Sequence, residues 1–246
     1  MTDQNRDAIC KECSITFVGE FCSSCGRPRE LKRINGRYIA SEIGRVINLD
    51  KGIFYTIREL LLRPGISIQQ FIKEDRNRLV KPIVFLIVCS LVYSIFQKVL
   101  QFEDGYIGFT DEKESTTLLI FSWISENYGY ANVLMAIFIA LWLKLFFRKY
   151  GYNFFEILIL LCFMMGMGML FFSVFGAIQT VTDISILDKG FLLAILYMSW
   201  GIGEFFDKTK KVNYIKAFLS YMLGMFTFSI LAIALGLSID FINSLN

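Results

Sequence analysis

Histidine is absent from this chain. Its absence excludes serine–histidine and cysteine–histidine catalysis, histidine-ligated metals and imidazole proton relays together. No secretory leader is expected either. The first thirty residues, MTDQNRDAICKECSITFVGEFCSSCGRPRE, hold no continuous apolar run of the required length, so the N-terminus is expected to stay uncleaved. Net charge is scarce too. A formal +3 is too small to argue for nucleic acid by itself. No convincing internal repeat or low-complexity segment is present.

Apolar side chains are what the chain has in excess. Hydrophobic residues make up 55% of its 246 positions, mean hydropathy is +0.53, and 25 phenylalanines exceed what one soluble core of this size would use. The composition is that of a membrane protein. Runs long enough to cross about 30 Å of hydrocarbon as a helix occur in five places. They are Pro82 to about Leu100, about Tyr130 to Phe147, Phe154 to Ile178, Phe191 to Phe206, and Tyr214 to about Ile242. The fourth is short and carries Glu204, and the fifth is long enough to require tilt or an interfacial extension.

Lysine and arginine positions orient these spans, because short basic loops resist translocation. From Arg27 to Lys81 there are thirteen basic and six acidic residues. Arg148 and Lys149 follow the second span, and Lys208, Lys210, Lys211 and Lys216 follow the fourth. The segment after the first span, QFEDGYIGFTDEKESTTLLIFSWISENYG, is acidic with Lys113 its only cation. The expected topology places the N-terminus in the cytoplasm and the C-terminus outside.

Ahead of the first span lies a region patterned for amphipathic helices. Ile39, Ile43, Val46 and Ile47 share one face, with Arg37, Glu42 and Arg45 opposite. After the Asp50-Lys51-Gly52 turn signal, Phe54, Ile57, Leu60 and Leu61 repeat the arrangement until Arg63-Pro64-Gly65 breaks it. A third short helix is expected from about Ser67 to Asp75, leading to the juxtamembrane cations Arg76, Arg78 and Lys81. With Arg63, these cations are candidates for anionic lipid headgroups, the apolar faces then lying in the interface. A small helical subdomain packed on itself is the alternative.

The sharpest chemical signal is CKECSITFVGEFCSSCG. Two Cys-x-x-Cys pairs, Cys10 with Cys13 and Cys22 with Cys25, match the four-thiolate shell of a structural zinc site. Gly26 suits a knuckle turn after the last ligand, whereas Ser14 holds that place in the first. Two disulfides and an iron site are the rival readings, and a cytoplasmic location favours reduced thiols. A shell filled by protein leaves no position for water or substrate, so the metal is expected to fold the head.

Within the spans, Lys144, Glu156 and Glu204 all fall in the cytoplasmic half. They outline either an inner vestibule or a set of snorkelling headgroup contacts. Small residues four apart, at Ser173 and Ala177, Ser199 and Gly203, Ser220 and Gly224, and Ala232 and Gly236, mark close helix packing. Gly166 and Gly168 admit a neighbouring backbone or loosen the third span. Met164, Met165, Met167 and Met169 suit adaptable core filling better than soft-metal transport.

The cysteine head, LDKGIFYTIRELLLRPG at Leu49 to Gly65, and RNRLVKP at Arg76 to Pro82 entering a span together resemble an uncharacterised bacterial membrane-protein family. That family carries an N-terminal zinc ribbon and has no assigned activity. The likeness covers roughly the first hundred residues and implies zinc, a membrane, and a bacterial inner membrane. A five-span plan with a cytoplasmic head is also similar in topology to Yip-type trafficking proteins.

The expected architecture is therefore an all-α polytopic protein. It comprises a zinc-ribbon head over 1–30, an amphipathic collar over 31–81, and a five-helix transmembrane bundle over 82–246. The expected function is non-enzymatic, the head and collar engaging a cytoplasmic protein partner or an anionic bilayer surface. A small-solute or ion transporter or channel is the rival, an enzyme acting on lipid the third reading. Nucleic acid is not expected as a partner, and oligomerisation is left open.

Overall fold

The computed structural model describes residues 8–10, 13–26, 52–100, 115–126, 128–182 and 184–245. The chain divides into two compact units, Met1–Arg45 and Val46–Asn246. The expected helix around Ile39 to Ile47, Arg27, and the Asp50-Lys51 part of the turn signal lie outside the described residues, as does the expected boundary near residue 30.

In the first unit, β1 (Ala8–Ile9) and β2 (Thr16–Phe17) pair antiparallel, with Ala8 opposite Phe17 and Ile9 opposite Thr16. Its buried core among the described residues is Cys10, Phe17 and Cys22, with Cys13 packed against them. That described core is by itself too small to offset the chain entropy of ordering residues 8–26.

The regular elements described in the second unit are all helices. α1 (Ile53–Leu62) and α2 (Pro64–Lys73) are separated by Arg63, whose extended φ of −155° interrupts the helix. Pro64 then starts α2 at the one place where its missing N–H costs nothing. α3 (Pro82–Leu100), α5 (Tyr128–Phe146), α6 (Phe154–Thr182), α7 (Leu187–Asp207) and α8 (Lys211–Leu245) correspond to the five expected spans.

Among the described residues, three helices are long and apolar enough to cross a membrane: α3, α6, and α8 over Lys211–Asn243. Two of the five expected spans do not reach that standard on their own. The apolar stretch of α5, Tyr130–Phe146, is shorter. α7 carries Asp188 and Lys189 in its first turn and Glu204 and Asp207 in its last. A sixth helix, α4 (Thr116–Glu126), occupies part of the segment expected to be an acidic outer loop. Its sequence TTLLIFSWISE is apolar although its surroundings are charged, and it packs along α8.

α6 is the central helix. In its most apolar stretch 67% of residues are buried, against 22% in α3 and 17% in α8. α3, α5 and α7 all pack on α6, while α8 lies against α4, α5 and α7. α8 approaches α5 so closely that a Cβ on Gly224 would stand 2.7 Å from the Ile139 Cα. Gly166 faces the Phe85 ring and Gly168 the Met198 methyl, so both serve helix packing. The four methionines of the α6 cluster are all buried in the core. Outward, Ile83, Ile87 and Leu91 on α3, and Phe226, Ile230 and Leu237 on α8, are exposed. Apolar surface of that extent is a liability in water and the normal outer face of a bundle in lipid.

The collar helices belong to this same unit. Leu60, Ile68, Phe71, Ile72 and Leu79 share one continuous core with the bundle, where Phe71 meets Phe163 edge-on at 5.4 Å. The inner faces of α1 and α2 are thus satisfied by α6 and α7.

Candidate functional site

Each cysteine pair is presented by a short turn closed by a backbone hydrogen bond. Ser14 N donates to Cys10 O at 2.9 Å, and Gly26 N donates to Cys22 O at 2.9 Å. Both turns end in left-handed backbone, at φ 58° for Ser14 and 72° for Gly26. Ser14 therefore adopts the conformation that the glycine of the second turn takes without steric cost.

The turns bring all four sulfurs within 4.8 Å of one another. Cys10 and Cys25 Sγ stand 3.4 Å apart, Cys13 and Cys22 3.6 Å, and Cys13 and Cys25 3.7 Å. These separations far exceed the roughly 2.05 Å of a disulfide. They lie close to the edge of about 3.8 Å that a tetrahedron of sulfurs about 2.3 Å from a common ion requires. Backbone amides of Cys25 and then Ser24 hold the Cys22 thiol below its ordinary 9.0, favouring the thiolate that a metal binds. Cys10, Cys13, Cys22 and Cys25 are placed to hold one metal ion, with no fifth donor needed.

A polar node that the sequence reading missed ties the collar together. Glu59, buried on α1, receives Arg63 through Nε at 3.2 Å and Nη2 at 2.9 Å. Arg78 Nη2 donates to it at 2.8 Å and Ser67 Oγ at 3.1 Å. Burial would raise the Glu59 carboxyl, but hydrogen bonds from Arg63, Arg78 and Ser67 outweigh it and hold the group below its ordinary 4.5. One turn earlier, Thr56 Oγ1 donates to Gly52 O and accepts from Val80 N, both at 3.0 Å. Two of the four cations expected at a lipid surface, Arg63 and Arg78, are thus paired with Glu59, while Arg76 and Lys81 are exposed. A carboxylate four residues before Arg63, inside the otherwise apolar run ELLL, was the signal available.

The three candidate vestibule residues are employed separately. Lys144 Nζ donates to the Tyr152 carbonyl. Glu156 and Asn153 form a reciprocal cap on α6: Asn153 N donates to Glu156 Oε2 at 2.7 Å and Glu156 N to Asn153 Oδ1 at 2.9 Å. Glu204 accepts the Gly65 N–H at 2.8 Å, so a carboxylate from α7 caps the first turn of α2. No ion pair joins any two of the three.

Capping across elements recurs elsewhere in the unit. Asp240 Oδ1 on α8 accepts from Thr116 N, the start of α4, at 2.9 Å. Gln179 Oε1 accepts from Ile186 N at 3.0 Å and Leu187 N at 3.1 Å, the start of α7. Each side chain satisfies a backbone donor that water would otherwise have to reach.

A family model described as "Protein of unknown function (DUF3667)" matches residues 50–94. The matched segment holds all of α1 and α2, the Glu59 node, and α3 as far as Ser94. No curated protein and no solved structure matches the chain.

Proposed function

We propose that this chain is a non-enzymatic scaffold or regulator of the bacterial inner membrane, with its N-terminus cytoplasmic and its C-terminus external. A zinc-bound head recruits a cytoplasmic protein partner, and the helical unit anchors it, with the collar at the membrane surface. Zinc is favoured over iron and over disulfides because the compartment is reducing and the four-thiolate shell suits a structural ion. The metal supplies folding free energy to a head whose described core is only Cys10, Phe17 and Cys22.

The observation that carries this reading is the convergence of all four head sulfurs into one closed shell. It provides a rigid knob without an open coordination position, which suits binding rather than turnover. The separate employment of Lys144, Glu156 and Glu204 supports the same reading against a transport vestibule.

The test is purification of the full chain in mild detergent, with metal analysis and identification of bound proteins. The expected result is one zinc per chain and a partner lost with Cys10→Ser or Cys25→Ser but retained with Glu156→Gln. A sample without metal overturns the reading, as does solute flux in vesicles that Glu156→Gln abolishes while the cysteine variants leave it intact.

A further inference from the structure

α1 presents two different surfaces. Thr56, Glu59 and Leu60 are buried inward, where Tyr197 Oη donates to the Leu60 carbonyl at 2.9 Å. On the opposite side Phe54, Leu61 and Leu62 are 55%, 44% and 64% exposed. With Arg58 they fall within about 100° of helical arc. The single face expected of Phe54, Ile57, Leu60 and Leu61 is thus split: Leu60 turns to the bundle, and Phe54 and Leu61 belong to a second apolar stripe that the bundle does not cover.

The depth of that stripe follows from side-chain contacts along α3 and α6. The Phe85 ring faces Gly166, and Thr180 Oγ1 donates to Leu100 O at 3.4 Å, so the two helices run parallel and in step. Pro82, where α3 begins, is then level with Phe163, and Phe85 and Phe163 indeed meet at 5.6 Å between ring centroids. Met164 packs on Gly201, and Pro64 Cβ lies 3.1 Å from where a Cβ on Gly201 would stand. The turn joining α1 to α2 thus sits level with the first turn of α3. Thr56 and Glu59 fix α1 against Val80 and Arg78, the residues leading into α3. Leu61 and Leu62 come immediately before that turn, at the depth where α3 begins to expose Ile83 and Ile87. Arg58, Arg76 and Lys81 are exposed nearby in sequence.

We infer that the α1–α2 hairpin is a membrane-dipping element whose outer stripe, Phe54, Leu61 and Leu62, enters the acyl boundary of the cytoplasmic leaflet while Arg58, Arg76 and Lys81 meet its phosphates. The occupant of the stripe is lipid, continuous with the lipid against α3. The inner face of the hairpin remains fixed to α6 and α7, so the element does not detach to bind. This deepens the proposed function and rests on its placement of the collar at the membrane surface. It does not depend on the metal or on a protein partner.

The experiment measures depth directly in the full chain, zinc-loaded, with Cys89→Ser and Cys162→Ser. Nitroxide labels are placed at Leu62→Cys, Phe54→Cys, Ile87→Cys and Lys73→Cys in vesicles of phosphatidylcholine and phosphatidylglycerol. Collision with oxygen and with a water-soluble nickel chelate is compared at each site. The inference expects an oxygen-to-nickel ratio at Leu62 near that of Ile87 and several-fold above that of Lys73, with Phe54 intermediate. If Leu62 and Phe54 both report the nickel accessibility of Lys73, the stripe faces water and the inference fails, and the cysteine-dependent partner capture still stands or falls on its own test. Shielding from oxygen and nickel alike at both sites would show a protein on the stripe and would equally overturn it.

Discussion

Replacing Gly65 by alanine should release α2 from α7. A Cβ built on Gly65 would lie 2.3 Å from Phe205 N, 2.6 Å from the Glu204 carbonyl carbon and 2.7 Å from Glu204 Cβ. Two of these are backbone atoms within a helix, which cannot yield as the end of a flexible side chain can. Overpacking of this kind costs about 1–3 kcal/mol. The same displacement lengthens the 2.8 Å hydrogen bond from Gly65 N to the Glu204 carboxylate. A hydrogen bond to a charged group contributes about 1.5–3 kcal/mol, less here because Glu204 is only half-buried. The two effects share one movement and do not add fully, so about 2–4 kcal/mol is expected.

Amide hydrogen exchange of α2 in detergent micelles reads that cost. Each 1.4 kcal/mol is tenfold in an equilibrium, so protection within Pro64–Lys73 should fall about 30- to 700-fold. Protection in α8 should change far less. Gly168→Ala is the control, since its added Cβ meets only the terminal methyl of Met198, at 3.1 Å. If Gly65→Ala leaves α2 as protected as in the parent chain, or if Gly168→Ala opens α2 equally, the docking of the hairpin on α7 is not what holds it.

Three further outcomes are expected. Glu59→Gln should destabilise the collar by about 1–2 kcal/mol, measured by exchange in α1, because it removes the charge from an acceptor shared by Arg63, Arg78 and Ser67 while solvent still screens Arg63. In the parent chain the lowered Glu59 pKa means that its contribution is complete above 4.5 and is lost as pH falls through the native value, a loss absent from Glu59→Gln. Ser14→Gly should tighten metal binding about fivefold in a chelator competition, by relieving about 1 kcal/mol at the 58° φ, whereas Gly26→Ala should weaken it at 72°. Removing the metal should abolish exchange protection of the Cys10 amide, which donates to Ile15 O at 3.0 Å, and leave α6 unaffected.

The two chemical extremes of the chain were the legible ones. α3, α6 and α8 follow from apolar runs that only lipid or a large core accommodates. Spacing assigned the four sulfurs to one ion, and they do converge within 4.8 Å of one another. The RPG break falls where φ at Arg63 departs from helix. An apolar stripe is less informative, because it announces burial without saying against what. The face carrying Leu60 was open to either lipid or protein, and only tertiary packing assigned it to the bundle. α4 was hidden for a similar reason, since the charge of its neighbours outweighed the apolar character of TTLLIFSWISE.

The ionisable residues near helix ends make the deeper point. Charge pattern places Glu156, Glu204 and Asp240 near ends of spans, and their expense in an apolar setting invites a functional reading. A bundle whose helices start against one another creates a competing demand, however, because each buried start leaves backbone N–H groups that neither lipid nor distant water can satisfy. Carboxylates answer that demand with the favourable sign of the helix dipole. Glu204 does so for α2 and Asp240 for α4, and the uncharged Gln179 does it for α7; Glu156 with Asn153 caps α6 at an exposed start, where water competes. The Asn153–Glu156 and Gln179–Ile186 pairings are local in sequence, but the reaches from Gly65 to Glu204 and from Thr116 to Asp240 span 139 and 124 residues and were invisible until the helices were packed. Removing such a carboxylate should therefore loosen the helix whose start it caps. It follows that Glu204→Ala should raise exchange in α2, on another helix, before it does so in α7, which carries the residue.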